Sequence, residues 1–476
     1  MKRRDILKGT LAGVAAAAIP GNLMAAASAG MSDMEVLRLA LTLHPGLYRY
    51  NTPAQIEAEL TSLSQAYGAA SDIETRFLTL SRFLATIRCG HTQCNPYNQS
   101  KAVRAQLFDR PTRLPFHFDW FGEQMIVTAD KSGTGKLIPG SRITNINGRP
   151  AAAYLTTLMP FARADGSNDG KRRSLLSVTD DTPLETFDIY QGLLFPPKDG
   201  SFDLTLVTPD GASQSLTVAA VSRVAPPGPA KEDAIFQWEM RDDGVALLSM
   251  PTWVTWRTTW DWQAWLDERL AEAAGAKGLI VDIRGNEGGM DAGNQILAAL
   301  AKEDLVLDQY KPRIRYRTSP EALEPYFTTY TPEARTLGEQ AVELGEGFFG
   351  YPDFVPAPRI EAAARRLDVP TAILMDPSNS SATFNFVKHV RQFGLAKLFG
   401  ETSGGNLRGI NGNAYFFVTL PESGIEFDLP LVGEFPVEVQ PDRGINPDVT
   451  VCRRPEDIAT GRDAAMEAAA SWIVSA

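Results

Sequence analysis

Cysteine and histidine are scarce: the 476 residues include three of the first and four of the second. With no repeated CxxC and no close pair of histidines, a zinc site is not expected, and no metal or other cofactor is implied. Sustained basic runs are missing beyond the N-terminus, and Lys and Arg total 46 against 57 Asp and Glu, a net charge of -11. Nucleic acid is therefore excluded as an expected partner. No apolar run reaches the ~20 residues that cross a bilayer, which excludes a polytopic membrane protein. The phosphate-loop pattern GxxxxGK(S/T) and the GxSxG nucleophile elbow of α/β-hydrolases do not occur, so two common routes to nucleotide and ester chemistry fall away. What remains is ordinary globular material, with 44% apolar and 22% charged residues, 39 Gly and 32 Pro. It is enough for two or three modules with sizeable cores.

The N-terminus stands apart. Lys2-Arg3-Arg4-Asp5-Ile6-Leu7-Lys8, the apolar stretch Leu11 to Ile19 and the small-x-small sequence Ala27-Ser28-Ala29 resemble a twin-arginine export signal. Residues 1-29 are expected to be cleaved, leaving a periplasmic or secreted chain with no stable membrane span; an uncleaved anchor is the alternative. Lys2, Arg3, Arg4 and Lys8 would leave with Asp5, which moves the net charge by three, from -11 to -14.

Residues 30-100 read as a helical region. Thr52-Pro53 supplies an N-cap and a first-turn proline, and Ile56, Leu60, Leu63 and Tyr67 follow at helical spacing up to Gly68. A second helix starts near Ser71-Asp72, carries Ile73, Phe77, Leu80, Leu84 and Ile87 on one face, and ends at Arg88-Cys89-Gly90-His91. Residues 101-230 change to short alternating runs separated by turns, a β-rich module closed by the linker Pro226-Pro227-Gly228-Pro229. From 231 to 476, buried runs at Val245-Met250 and Gly278-Ile283 alternate with helices near 262-274 and 291-302, the pattern of an α/β core. A Pro-, Tyr- and Glu-rich stretch at about 306-365 reads as a lid-like insertion.

Two turns in that core are candidates for chemistry, although the glycine-rich one, taken alone, reads equally as a simple strand-to-helix turn. Gly285-Asn286-Glu287-Gly288-Gly289 follows a buried strand, and backbone N-H groups in such a turn can face an oxyanion. Ser380-Ser381-Ala382 follows the strand Pro370-Asp376 and opens an amphipathic helix, where unpaired N-H groups favour negative charge beside a hydroxyl. On its own, either serine reads first as an N-cap. Five of the eight tryptophans fall between Trp253 and Trp265, either to hold an apolar peptide side chain or to pack against the insertion. Cys89 and Cys94 bracket His91 and are either a short-loop disulfide or free thiols.

Taken in order, LIVDIRGNEGG, SSATFNFVKHVRQFGLAKLFGETSGG, LPESGIEFDLP and RGINPDVTV resemble the tail-specific, or C-terminal processing, serine protease family, and Arg88-Cys89-Gly90-His91-Thr92 is similar to the family's N-terminal D-x-H-T element. The resemblance implies a crotonase-like or Clp-protease-like α/β core with a PDZ-like β-rich module, acting on a polypeptide substrate through an acyl-enzyme. Matching positions make Ser381 the nucleophile, with the N-H groups of Gly288 and Ala382 as oxyanion donors and Gly289 as the second choice to Gly288. The best-known members place a lysine base where this chain has Asn406. The chain therefore resembles the tricorn-like branch, which implies His91 as general base and Asp442 or Glu438 as the acid beside it. A base titrating as an ordinary histidine would lose activity below pH roughly 6 to 7. A non-catalytic peptide- or lipid-binding relative is the alternative reading.

Overall fold

Buried, β-branched runs with glycine-rich turns at their ends favour a sheet covered on both faces, because alternate side chains of each strand need an apolar layer above and below. The computed structural model, which describes residues 30-180, 182, 184-222, 230-350 and 359-476, has such a sheet at its centre. Residues 1-29, expected from the sequence to be an export signal, and the linker prolines lie outside the described residues.

The central sheet has six strands in the spatial order Val449-Thr450, Lys397-Gly400, Thr371-Met375, Leu279-Asp282, Ala246-Ser249 and Gln237-Met240. The first five run parallel, and the last is antiparallel to its neighbour. Leu279, Val281, Ile373 and Met375 point into one apolar layer with Leu266, Ile296, Phe386 and Val390 from the helices Trp262-Ala273, Gly293-Leu300 and Ala382-Phe393. Ile280, Ala372 and Leu374 point the other way, onto Ala469 and Ile473 of the last helix, Ala464-Ser475. One-residue alternation in strands only four or five residues long thus places helices on both faces.

Upstream, the helices Pro53-Ala69 and Ile73-Thr86 start at Thr52 and Asp72, whose side chains accept from Gln55 and Thr75 N-H. The β-rich module is a six-stranded antiparallel sheet built from Phe116-Phe121, Gln124-Asp130, Arg142-Ile146, Arg149-Pro150, Ser201-Val207 and Ser213-Ala219. Its Asn147-Gly148 turn has positive φ at both residues (50° and 75°), the geometry that joins two strands by a two-residue hairpin.

The Pro- and Tyr-rich stretch is sewn into a four-stranded antiparallel sheet. Tyr310-Arg313 pairs with the long strand Glu426-Pro436, and Phe327-Thr328 pairs with Asn411-Thr419. Aperiodic composition hid these edge strands because they are two to four residues long. Of the five tryptophans, Trp260, Trp262 and Trp265 surround Phe236, Trp253 is fully buried edge-on to Phe386, and Trp256 is exposed. All three cysteines are free, and the Sγ of Cys89 accepts from Asn411.

Candidate active site

Between the central strand Thr371-Met375 and the helix Ala382-Phe393 the chain turns in six residues. Ser381 ends that turn with φ 55° and ψ -127°, a conformation that disfavours any residue with a Cβ and costs about 1-3 kcal/mol. Buried amides hold it there. Asn379 accepts from Asp376 N-H (2.8 Å) and donates to the carbonyls of Ile283 (2.5 Å) and Asn286 (3.0 Å), and the Thr383 hydroxyl donates to the Asn286 carbonyl at 2.9 Å. The two serines differ sharply. Ser380 donates its hydroxyl to the Glu287 carbonyl (3.3 Å), whereas Ser381 is half-buried and caps nothing with its side chain. An N-cap serine would sit in the β region and accept from the third N-H of its helix, so Ser381 is not one.

The glycine-rich turn presses directly on this elbow. A Cβ at Gly288 would stand 2.9 Å from Ala382 N, Ser380 O and Ser381 Cβ, so only glycine lets the two turns meet. The Gly288 N-H, however, donates to Asn286 Oδ1 (2.9 Å), and the expectation that it faces an oxyanion is corrected for that reason. Gly289 forms a parallel bridge with Trp253 in which the bonds run from Trp253 N to Gly288 O (3.2 Å) and from Met290 N to Trp253 O (2.9 Å). That pattern turns the Gly289 N-H away from Trp253. Among the described residues, the N-H groups of Gly289 and Ala382 donate to nothing.

His91 follows a turn in which Arg88 takes φ 58° and Gly90 donates its N-H to Asp165 Oδ1 (2.9 Å). Two residues on, the Gln93 carbonyl accepts from Asp428 N-H of the strand Glu426-Pro436. The segment is thus tied on both sides. The His91 ring is half-buried, lies 6.0 Å from the Tyr415 ring, and has a buried Nδ1 with no partner among the described residues. Burial, then the positive charges of Arg163 and Lys171, push its pKa down to about 4 against the opposing pull of Glu287. The charges that His91 feels therefore include Glu287, the residue immediately before Gly288. No hydrogen bond joins His91 to Ser381.

Neither acid suggested by the sequence meets the imidazole. Asp442 accepts from Ser167 N-H (2.9 Å), the Ser167 hydroxyl (2.9 Å) and Asn406 Nδ2 (2.8 Å). Partial burial opposes its charge, but these bonds outweigh it and keep the carboxyl below its ordinary value. Glu438 is exposed next to Val439, which is fully solvated. Asn406, the replacement for a lysine, is wholly buried and links Asp442 to the Asp165 carbonyl (3.2 Å). Asn406, Asp442 and the His91 turn therefore converge on Asp165, a buried carboxyl that the sequence did not single out. Burial lifts its pKa to about 6, against the Gly90 N-H bond and nearby cations. Of the two lysines nearest in sequence, Lys388 pairs with Glu434 (3.1 Å) and Lys397 lies over the Trp472 ring.

The residue most clearly missed is Lys171. It comes from the helix Asp169-Leu175 of the β-rich module, yet its Nζ lies 2.7 Å from Glu287 Oε1 and 2.9 Å from the Ser378 carbonyl. A lysine in a short KRR triplet reads as surface, and only tertiary contact reveals otherwise. A cavity of about 1430 Å³ opens beside this pair, lined by Gln93, Arg163, Glu287 and Ser378 but not by Ser381 or His91.

Residues 244-424 match the model of peptidase family S41, a stretch that contains both turns, Ser381 and Asn406 but not His91 or Asp442. No curated protein sequence matches the chain. Among solved structures, mature CPAF complexed with lactacystin is similar, with a TM-score of 0.61 at 14% identity over 93% of this chain and 97% of that one. Mature CPAF gives 0.60, again at 14% identity, over 93% and 97%. The photosystem II D1 C-terminal processing protease gives 0.40 at 14% identity, over 89% and 92%. The family match falls on the core that carries the serine elbow and the glycine turn, so residues 244-424 are similar to peptidase family S41, and the chain as a whole shares its fold with mature CPAF.

Proposed function

We propose that this peptidase is an exported endopeptidase or C-terminal processing enzyme that cleaves polypeptides through an acyl-enzyme on Ser381, with His91 as general base. The observation that carries the reading is the Ser381 elbow: a non-glycine residue held at φ 55° with its hydroxyl uncommitted, against a turn that leaves no room for a side chain. Strain of this kind persists where the surrounding structure over-determines it, and function is the usual reason. In the reaction, Ser381 Oγ attacks the scissile carbonyl carbon as its proton passes to His91. The carbonyl oxygen becomes an oxyanion that accepts from the N-H groups of Gly289 and Ala382. Breaking the C-N bond returns the proton to the departing amine and leaves the acyl-Ser381 ester, which water, deprotonated by His91, hydrolyses. Because ring and hydroxyl are not bonded in the free protein, substrate binding must bring them together. The periplasm or exterior is the expected setting.

The test is labelling of the purified protein with a fluorophosphonate, followed by peptide mapping. Label on Ser381 is the expected result; label on Ser380, or none on a protein that hydrolyses an unstructured polypeptide, would remove this mechanism.

The base has its own signature in pH. A histidine must be neutral to accept the Ser381 proton, and burial with Arg163 and Lys171 nearby keeps His91 neutral down to about 4. As pH falls, kcat/KM should hold level through the range 7 to 5 and decline only toward pH 4, rather than at the roughly 6 to 7 of an unperturbed imidazole. A steady-state profile on a polypeptide whose own groups do not titrate there decides it; a half-loss near pH 6.5 would contradict the placement of His91 among these cations.

A further inference from the structure

The catalytic turns are not held by the α/β core alone. We infer that Lys171, delivered by the β-rich module, is a positioning residue that clamps the nucleophile turn to the glycine-rich turn. The inference rests on Ser381 being the nucleophile.

Lys171 is 2% exposed, unusual for a lysine unless its ammonium is fully paired. Its Nζ donates to the Ser378 carbonyl, three residues before Ser381, and to Glu287 Oε1, one residue before Gly288. Glu287 in turn accepts at its carbonyl from the Ser380 hydroxyl, so the two turns are joined by one charged and one neutral bridge. Arg163 reaches the other carboxylate oxygen of Glu287 at 3.5 Å and is itself braced by Gln93 Oε1 at 2.7 Å, two residues from His91. The methylene stem of Lys171 also fills the space beside Gly404, where a Cβ would come within 2.9 Å of its Cδ. The helix that presents it is fixed from below: Asn168 accepts from Lys171 N-H and donates to the carbonyls of Ser403 (2.8 Å) and Gly405 (2.9 Å).

Burial lowers the Lys171 pKa from its ordinary value, against the pull of the Glu287 carboxylate, which favours the protonated form. The ammonium acts here as a donor to a carbonyl and a carboxylate. Partial burial opposes the charge on Glu287, but Lys171 and Arg163 prevail and keep that carboxyl below the usual range. What the clamp does is geometric: it sets the separation between Ser381 and the oxyanion donors, and an error of ~1 Å there costs about a hundredfold in rate.

Lys171→Met keeps most of the stem volume and removes the ammonium, and Lys171→Arg restores a cation with donors. Glu287→Gln tests the carboxylate end. On an unstructured polypeptide, Lys171→Met should lower kcat by about thirtyfold or more with KM within about threefold, and the fluorophosphonate labelling rate of Ser381 should fall in step. Lys171→Arg should recover a good part of the loss. Rates are referred to folded protein, measured by circular dichroism at the assay temperature, so a variant that partly unfolds still gives an answer. Wild-type kcat per folded molecule in Lys171→Met, or a change confined to KM, would overturn the clamp. Ser381→Ala run alongside separates the two readings: if it remains active, the nucleophile assignment fails; if it is dead while Lys171→Met is fully active, only the clamp fails.

Discussion

Ser381→Ala is expected to lower kcat/KM for a polypeptide by about 10⁴-fold or more, because in the proposed mechanism the hydroxyl forms the covalent intermediate and no neighbouring group can replace it. Ser380 cannot, since its hydroxyl is directed to the Glu287 carbonyl. Stability should barely change: the Ser381 side chain makes no cap bond, and alanine inherits the same positive φ. Ser381→Gly should be equally inactive yet more stable by about 1 kcal/mol, as glycine adopts φ 55° without a Cβ penalty. Thermal melts of the two variants, read beside their activities, would show strain stored at the nucleophile. A Ser381→Gly protein less stable than Ser381→Ala would mean that the elbow is not strained.

His91→Ala should cost about 10³-fold or more in kcat, the scale of losing the proton acceptor in a serine hydrolase. The acids should rank well below it. Asp442→Asn removes a carboxylate that braces Ser167 and Asn406 rather than the ring, so its loss should be the smaller one. Glu438→Gln, on an exposed residue, should be close to silent. Lys397→Ala should leave turnover unchanged, and Lys388→Ala should destabilise by leaving the Glu434 carboxylate with Asn385 but without its cation, with activity per folded molecule retained. Activity surviving in His91→Ala, or lost only in a lysine variant, would return the chemistry to a serine-lysine pair.

Much of this was legible in the chain. The 3.6-residue spacing of Ile56, Leu60, Leu63 and Tyr67 and the caps at Thr52 and Asp72 are local signals, and both helices begin where those signals put them. The buried runs around Val281 and Ile373 read as core strands because two covered faces demand apolar residues at every position. Tyr310-Arg313 and Phe327-Thr328 escaped because edge strands this short carry no period, and their partners lie about a hundred residues away.

The same boundary runs through the site. Which residues were candidates for chemistry came from the sequence through its resemblance to the tail-specific protease family: a serine after a buried strand, a double-glycine turn after another, a histidine past a helix end, and an asparagine where the family has a lysine. Which of their atoms are free was decided only in three dimensions. Asn286, two residues before Gly288, takes that glycine's N-H; Asn406 ties Asp442 to the Asp165 carbonyl and away from the imidazole; Lys171 arrives from a different module to bridge both turns. Hydrogen-bond assignment and desolvation depend on groups brought together from distant points of the chain, and no local pattern encodes them.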